Sequence, residues 1–299
     1  MRVLSIESKE KRNVALSSVI AAIFLTSFKL VVGLLTGSLG ILSEALHSML
    51  DLIAAVITFF AVTIADKPAD EDHQFGHGKF ENLSAFFETI LLVITCVWII
   101  QEAVTRLSTG KTEIIVNAWS FIVVITAIVI DFTRSRMLMR TAKKYHSQAL
   151  EADGLHFSTD ILSSTVVLIG LIFSSFGLYF VDSVASLGVA VIVLYISWNI
   201  GKRAIDALLD RTTSSITNKI TTLASEIPQI FEIHSIKSRQ SGATTMIEVT
   251  IEVDPNLSVS EGHEIATQYE DLLTDNFHKA QINIHIEPHN ENESKKEIG

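Results

Sequence analysis

The sequence predicts a helical membrane protein: six spanning helices followed by a small cytoplasmic α+β domain with the order α-β-β-α-β. Three observations support this class. Hydrophobic residues make up 48% of the 299 residues, whereas charged residues make up only 19%. Apolar runs of about 20 residues, the length that a spanning helix needs, recur along the first two thirds of the chain. After Asp206 the pattern changes to shorter helical and alternating segments, which are typical of a soluble domain.

The apolar runs place the six spans near residues 13–36, 39–65, 80–107, 115–141, 148–174 and 178–202. We therefore expect a transmembrane domain at 13–205, preceded by a cytoplasmic N-terminal segment at 1–12. Lys and Arg concentrate in three segments, at 2–12, 134–144 and 202–203. By the positive-inside rule, both termini face the cytoplasm.

Residues 206–290 are expected to form the cytoplasmic domain, followed by a flexible tail at 291–299. Ile216, Ile220 and Leu223 have helical spacing, and Ser258 with Glu261 has the spacing of a capping box that opens a second helix. Alternating apolar residues predict strands near 247–253 and 282–286, and a further strand is expected at about 232–240. A domain of this size is marginal alone, so pairing of two copies is expected.

Two predicted spans share one polar pattern: an acid, two residues, a histidine, three residues and an aspartate. It occurs as Glu44-His47-Asp51 and as Asp153-His156-Asp160. Positions i, i+3 and i+7 share one helix face. A charged side chain at a bilayer centre costs roughly 2.5–3.5 kcal/mol, so both columns need a compensating role. Facing each other, the two His and two Asp would supply the four N and O ligands typical of zinc.

Other classes of function are disfavoured by the sequence. A membrane metallohydrolase needs an open ligand position and a general base, commonly as His-Glu-x-x-His, and that motif is absent. A single cysteine, Cys96, permits no disulfide framework within one chain. A net charge of -10 and the lack of a basic patch disfavour nucleic acid as a partner. A metal-sensing or assembly scaffold that binds divalent metal without transport stays open as the alternative.

The loop before the third span, Pro68-Ala-Asp-Glu-Asp-His-Gln-Phe-Gly-His-Gly-Lys-Phe-Glu81, adds a second signature. Together with the spans and the paired His/Asp columns, it resembles the cation diffusion facilitator family, in particular its bacterial zinc- and iron-type metal efflux transporters. The resemblance extends from Asn13 to His289. It implies a ferredoxin-like or metallochaperone-like cytoplasmic domain, a homodimer, and a place in the lipid bilayer of the bacterial cytoplasmic (inner) membrane. It also implies no enzyme activity, but export of divalent cations in exchange for protons.

Zn2+ is the expected ion, both transported and regulatory, with Co2+, Fe2+ and Cd2+ as further candidates. The resemblance implies a transport site at His47, Asp51, His156 and Asp160. It implies a loop site at Asp70, His73 and His77, for which the alternative is a polar, solvated turn. It implies a cytoplasmic-domain site, for one or two metals per subunit, at His234, His263, His285 and Glu287. It finally implies an interdomain charge pair of Lys79 and Asp210, the alternative being two independent charges.

Overall fold

The computed structural model describes residues 5–37, 39–109, 118–174 and 180–290. The predicted flexible tail at 291–299 and the first four residues lie outside this part. The chain divides into two compact units, Met1–Ile205 and Asp206–Gly299. Its first six helices are α1 Ile6–Thr36, α2 Leu39–Ala65, α3 Lys79–Thr109, α4 Ala118–Tyr145, α5 Gln148–Ser174 and α6 Phe180–Leu208.

Within the described residues, four of these helices are long and apolar enough to cross a membrane by length and composition alone. They are α1, α2, α3 and α6. The other two, α4 and α5, have similar lengths of 28 and 27 residues. The predicted order of six helices before the tail domain is confirmed.

Helix α1 begins earlier than hydropathy predicts. It begins at Ile6 rather than at residue 13, so most of the expected N-terminal segment is helical. The side chain of Ser5 caps this helix by accepting a hydrogen bond from the backbone N–H of Ser8 at 3.1 Å. Glu7 lies in the first turn, where a negative charge is favoured by the helix dipole. Local capping therefore extends the helix beyond its apolar part.

In the first unit, α1 packs against α2 and α4, α4 against α5, and α2 against α3 and α5. Small side chains permit the close approach of α1 and α2. A Cβ atom at Gly33 would lie 3.2 Å from the backbone nitrogen of Leu42 and 2.8 Å from its side chain. The packing of α2 against α5 positions the polar columns of both helices for contact.

The second unit has the predicted α-β-β-α-β order. Its elements are α7 Ser214–Ala224, β1 Glu232–Ser241, β2 Thr244–Val253, α8 Val259–Asn276 and β3 Ala280–Pro288. The sheet order is β1-β2-β3, with β1 antiparallel and β3 parallel to β2. Its apolar core includes Ile220, Ile247, Ile251, Tyr269 and Leu273, all nearly fully buried. Away from this core, the strands carry polar side chains. Some of these, at the ends of the strands, form a group of candidate metal ligands.

Candidate metal centre

Helices α2 and α5 bring the four predicted transport-site residues together. The Nε2 atom of His156 lies 3.2 Å from Oδ1 of Asp51 and 3.6 Å from Oδ2 of Asp160. The Nε2 atom of His47 lies 3.9 Å from Oδ1 of Asp51 and 3.8 Å from Oδ1 of Asp160. Each histidine thus approaches both aspartates, and one carboxylate comes from each helix. Such an arrangement can surround a single cation.

The centre is buried and borders a cavity of about 560 Å³. His47, Asp51 and Asp160 line this cavity, whereas His156 lies behind them with 2% of its surface exposed. Among the described residues, the buried Oδ2 of Asp160 has no hydrogen-bond partner. A buried carboxylate oxygen without a donor is destabilising unless a cation or water binds it. The geometry therefore favours occupation of this centre by a positive ion.

A lysine on α1 pairs with Glu44, the acid that precedes His47 in the sequence pattern. The Nζ atom of Lys29 lies 3.2 Å from Oε2 of Glu44 and 2.8 Å from Oγ of Ser48. Glu44 is thus held by Lys29, although both residues also line the cavity. The isolated lysine within an apolar span was the sequence signal for this pair. Its charge partially offsets the excess of acidic groups around the centre.

An arginine on α4 is linked through Ser18 to Asp153, the acid that precedes His156 in the sequence pattern. Arg134 donates to Oδ1 of Asp131 at 3.3 Å and to Oγ of Ser18 at 3.1 Å. Ser18 in turn donates to Oδ2 of Asp153 at 3.2 Å. The guanidinium also lies 3.5 Å above the ring of Phe157, a favourable cation–π contact. This network links α1, α4 and α5 beside the centre.

Sequence reasoning missed a buried ion network at the start of α1. The Nζ atom of Lys11 lies 2.5 Å from Oδ1 of Asp66 and 3.1 Å from Oε1 of Glu81. Lys11 is 2% exposed. Positive residues before a span were interpreted only as orientation signals, and nothing in the linear sequence pairs this lysine with acids more than fifty residues away. The network joins the ends of α1, α2 and α3.

The predicted loop site also converges. Oδ1 of Asp70 lies 3.3 Å from Nδ1 of His73, and Oδ2 lies 3.2 Å from Nε2 of His77. The backbone N–H of His73 donates to Asp70 at 2.7 Å, and this hydrogen bond holds the pKa of Asp70 below its usual value. Gly76 has a φ of 77°, which permits the turn that places His77 beside the acid. These three groups could hold a metal ion.

The predicted cytoplasmic-domain residues are placed apart from one another, except for one neighbouring pair. Nε2 of His285 lies 3.6 Å from Oε1 of Glu287, while His234 contacts Glu252 instead. The four residues His234, His263, His285 and Glu287 do not form a common ligand group within the described part of one chain. The cytoplasmic-domain site, for one or two metals per subunit, stays a prediction.

The interdomain pair also stays a prediction. In the second unit, Oδ2 of Asp210 lies 3.5 Å from Nη1 of Arg239. Lys79 begins α3 in the first unit.

Among the described residues, the structure contains one ligand group that sequence reasoning missed. Glu232, Glu252 and His289 lie at adjacent ends of the three strands, with candidate ligand atoms all within 4.8 Å of one another. These residues are separated along the chain and follow no spacing motif. Only the strand register brings them together.

Comparison with known proteins agrees with this architecture. The family model of the cation efflux transmembrane domain matches residues 15–209, and that of the cation efflux protein cytoplasmic domain matches residues 213–289. The chain belongs to the cation diffusion facilitator family. It is therefore an integral membrane transporter that exports metal cations, and not an enzyme. The match of its tail to the dimerisation domain of this family indicates that the chain dimerises.

Relatives match this family member over nearly their whole length. The protein named "Uncharacterized transporter MJ0449" of Methanocaldococcus jannaschii is 33% identical over 272 residues, covering 90% of this chain and 96% of its own. The cation-efflux pump FieF of Shewanella oneidensis is 31% identical over 274 residues, covering 91% and 92%. A solved MamM CTD in its cadmium form covers 26% of this chain and 100% of its own, with 20% identity and a TM-score of 0.26.

Proposed function

We propose that this transporter exports Zn2+ from the cytoplasm in exchange for protons, with His47, Asp51, His156 and Asp160 as its transport site. The observation that carries the proposal is the approach of both histidines to both aspartates between α2 and α5. Two carboxylates offset the charge of a divalent ion, and two imidazoles favour Zn2+ over Mg2+ or Mn2+. Co2+, Fe2+ and Cd2+ are the alternatives that this donor set also accepts.

Proton exchange follows from the same ligands. Histidine must be neutral and aspartate ionised to coordinate a metal, so binding of the ion expels protons. An ordinary imidazole titrates at about pH 6.5, which lies close to neutral pH. A site that opens alternately to each side would load metal on the cytoplasmic side and release it outside as protons arrive.

The remaining predicted features form part of the same proposal. Segment 13–205 would lie in the cytoplasmic (inner) membrane of a bacterium, with both termini in the cytoplasm. The domain at 206–290 would pair with that of a second copy, and regulatory Zn2+ would bind there. The loop group of Asp70, His73 and His77 would bind metal near the membrane surface, since its three side chains already converge.

A flux assay in proteoliposomes tests the function. The purified protein would be reconstituted into sealed vesicles, and uptake of Zn2+, Co2+, Fe2+, Cd2+ and Mn2+ would be followed with and without an imposed pH gradient. We expect Zn2+ flux to be fastest and to increase when protons can leave the vesicle against the entering metal. Zinc binding without flux would instead indicate the scaffold. A flux that is the same with and without the pH gradient would contradict proton exchange but would still demonstrate metal transport.

A further inference from the structure

The ends of the three strands in the second unit carry a cluster that the transport function does not use. Nδ1 of His289 lies 2.7 Å from Oε2 of Glu252, and Nδ1 of His234 lies 3.4 Å from Oε1 of the same carboxylate. Glu232 has a carboxylate oxygen within 4.8 Å of the ligand atoms of Glu252 and His289. We call these four residues the strand-end cluster. Glu252 is its centre and is 12% exposed.

Backbone hydrogen bonds hold the cluster in place. The N–H of His289 donates to the carbonyl of Val253 at 2.8 Å, which continues the pairing of β3 with β2 beyond Pro288. The N–H of Phe231 donates to the carbonyl of Glu252 at 2.9 Å, and its ring packs edge-on against His289 with centroids 5.3 Å apart. The ligand atoms are therefore carried on paired strands rather than on a free loop.

A register shift in β1 brings the second histidine to the cluster. Glu232 pairs with Glu252 and Ile233 with Ile251, but the next pair is Ser235 with Thr250. His234 is thus the extra residue of a bulge. A bulge redirects the side chains around it, and in proteins this device often aims a side chain at a functional site. Here it lets Glu232 and His234 both approach Glu252.

The two negative charges of the cluster favour the binding of a cation. Glu232 and Glu252 are direct cross-strand partners, and like charges in that position are destabilising. The ion pairs found for Glu252 in the described part of the chain are both with histidines. A divalent ion bound between the two carboxylates would offset the charge of both.

We propose that Glu232, Glu252 and His289, with His234 as a fourth ligand, form a divalent metal site within a single protomer. Two nitrogen and two oxygen donors suit Zn2+ or Co2+ in tetrahedral geometry. Donors at about 2.1 Å from a tetrahedral ion lie about 3.4 Å apart. The ligand atoms of Glu232, Glu252 and His289 already lie within 4.8 Å of one another, so small side-chain rotations would close these three around the metal. His234, 3.4 Å from Glu252, would complete the shell. The site shares His234 with the predicted set of His234, His263, His285 and Glu287, but its other ligands are different, and it needs no ligand from a second copy. It also does not rest on the proposed transport site.

The test counts bound metal in the full chain. The background protein would carry Asp51→Ala and Asp160→Ala together with Asp70→Ala and His77→Ala, which remove the proposed transport site and the loop site. Zn2+ per chain would be measured after equilibrium dialysis in detergent. We expect Glu252→Gln with His289→Gln to remove one metal per chain, and we expect the matched pair His263→Gln with His285→Gln to leave that metal bound. Retention in the first pair, or loss only in the second, would overturn the proposal.

A second variant gives a positive signal that does not depend on loss of binding. In the same background, His289→Cys would place a thiolate at the strand-end cluster. Co2+ should then show a thiolate-to-metal charge-transfer band in the near ultraviolet, which the background protein lacks. The natural Cys96 is buried in the first unit and is present in both proteins, so it serves as the internal control. Absence of the band in a folded variant would overturn the assignment of His289 as a ligand. Because the background has no transport site, neither result bears on zinc export.

Discussion

The transport centre and the strand-end cluster use the same ligand types but assemble them in different ways. In the centre, each helix supplies a His and an Asp four residues apart, as His47–Asp51 and His156–Asp160. In the cluster, the ligands lie at the ends of three strands, and the strand register together with the bulge in β1 brings them close. A helical pair is fixed by local spacing, whereas a strand-end group depends on pairing between distant segments. The first is therefore visible in a sequence, and the second is not.

The two groups also differ in their exposure to solvent. The side chain of His156 is 2% exposed, whereas that of His234 is 42% exposed. Charges removed from solvent interact more strongly, and loss of a partner there is more costly. We therefore expect substitutions in the centre to have large effects on the binding and flux of the ion, and substitutions in the second unit to have smaller ones.

The largest expected effect comes from the two aspartates of the centre. Asp51→Asn or Asp160→Asn keeps the side-chain volume but removes one of two negative charges that face the ion. Even residues that merely orient metal ligands typically change affinity 10–100-fold. We expect zinc flux in proteoliposomes to fall at least about 100-fold, since these groups would contact the ion directly.

The matched control is Ser164→Ala, which alters the wall of the same cavity without removing a candidate ligand. Its flux should stay within about twofold of the natural protein, because surface-like polar substitutions rarely have large effects. Comparable flux in Asp51→Asn and Ser164→Ala would contradict the assignment of the transport site.

Acidification should have the next largest effect. Because His47 and His156 must lose protons to bind metal, the apparent affinity for zinc should fall roughly 10–100-fold between pH 7 and 5.5. Isothermal titration in buffers of different ionisation enthalpy would count the protons released on binding. His156→Ala should reduce that count as well as the affinity. A count of zero, measured with the peripheral ligands removed, would exclude exchange through these histidines.

A change of ligand type should shift selectivity by a smaller factor. His47→Asp replaces a nitrogen donor by a third carboxylate, which makes the site more anionic and better suited to harder ions. We expect the flux of Mn2+ relative to Zn2+ to rise about tenfold, because ligand type contributes strongly to the choice among divalent ions. The number of metals bound by the second unit should stay the same. An unchanged ranking across the ion panel would count against His47 as a ligand.

The smallest effect is expected at the cap of α8. Oγ of Ser258 accepts from the N–H of Glu261 at 3.3 Å, and the Glu261 carboxylate accepts from the Ser258 N–H at 2.7 Å. Hydrogen bonds from Ser258 also hold the pKa of Glu261 below its usual value, so the carboxylate stays ionised at neutral pH. Ser258→Ala should weaken the first turn of α8 by about 1 kcal/mol.

Hydrogen exchange on the full chain would report this loss as faster exchange at the start of α8. The control is Ser260→Ala, one residue inside the helix, which leaves the capping box intact. Zinc flux should be the same in both variants. Equal exchange rates in the two variants would show that the cap contributes little.

Sequence patterns predicted the elements that depend on local spacing. Apolar runs located α2 and α5, and alternation located β2. Hydropathy placed the start of α1 too late, because it scores Lys11 as a solvated charge and cannot represent its burial between two acids. The strand-end cluster was missed because Glu252 and His289 meet through the parallel pairing of β2 with β3. Pairing of this kind is set by the whole domain.

The lysine buried at the start of α1 has a practical consequence for anyone who shortens this protein. A chain trimmed to the apolar boundary at residue 13 would lose Lys11 and leave Asp66 and Glu81 without the cation that lies between them. Two carboxylates at the ends of α2 and α3 would then repel each other where little water reaches. Affinity tags and fusion partners therefore belong ahead of Ser5, so that the first helix keeps its cap and its lysine.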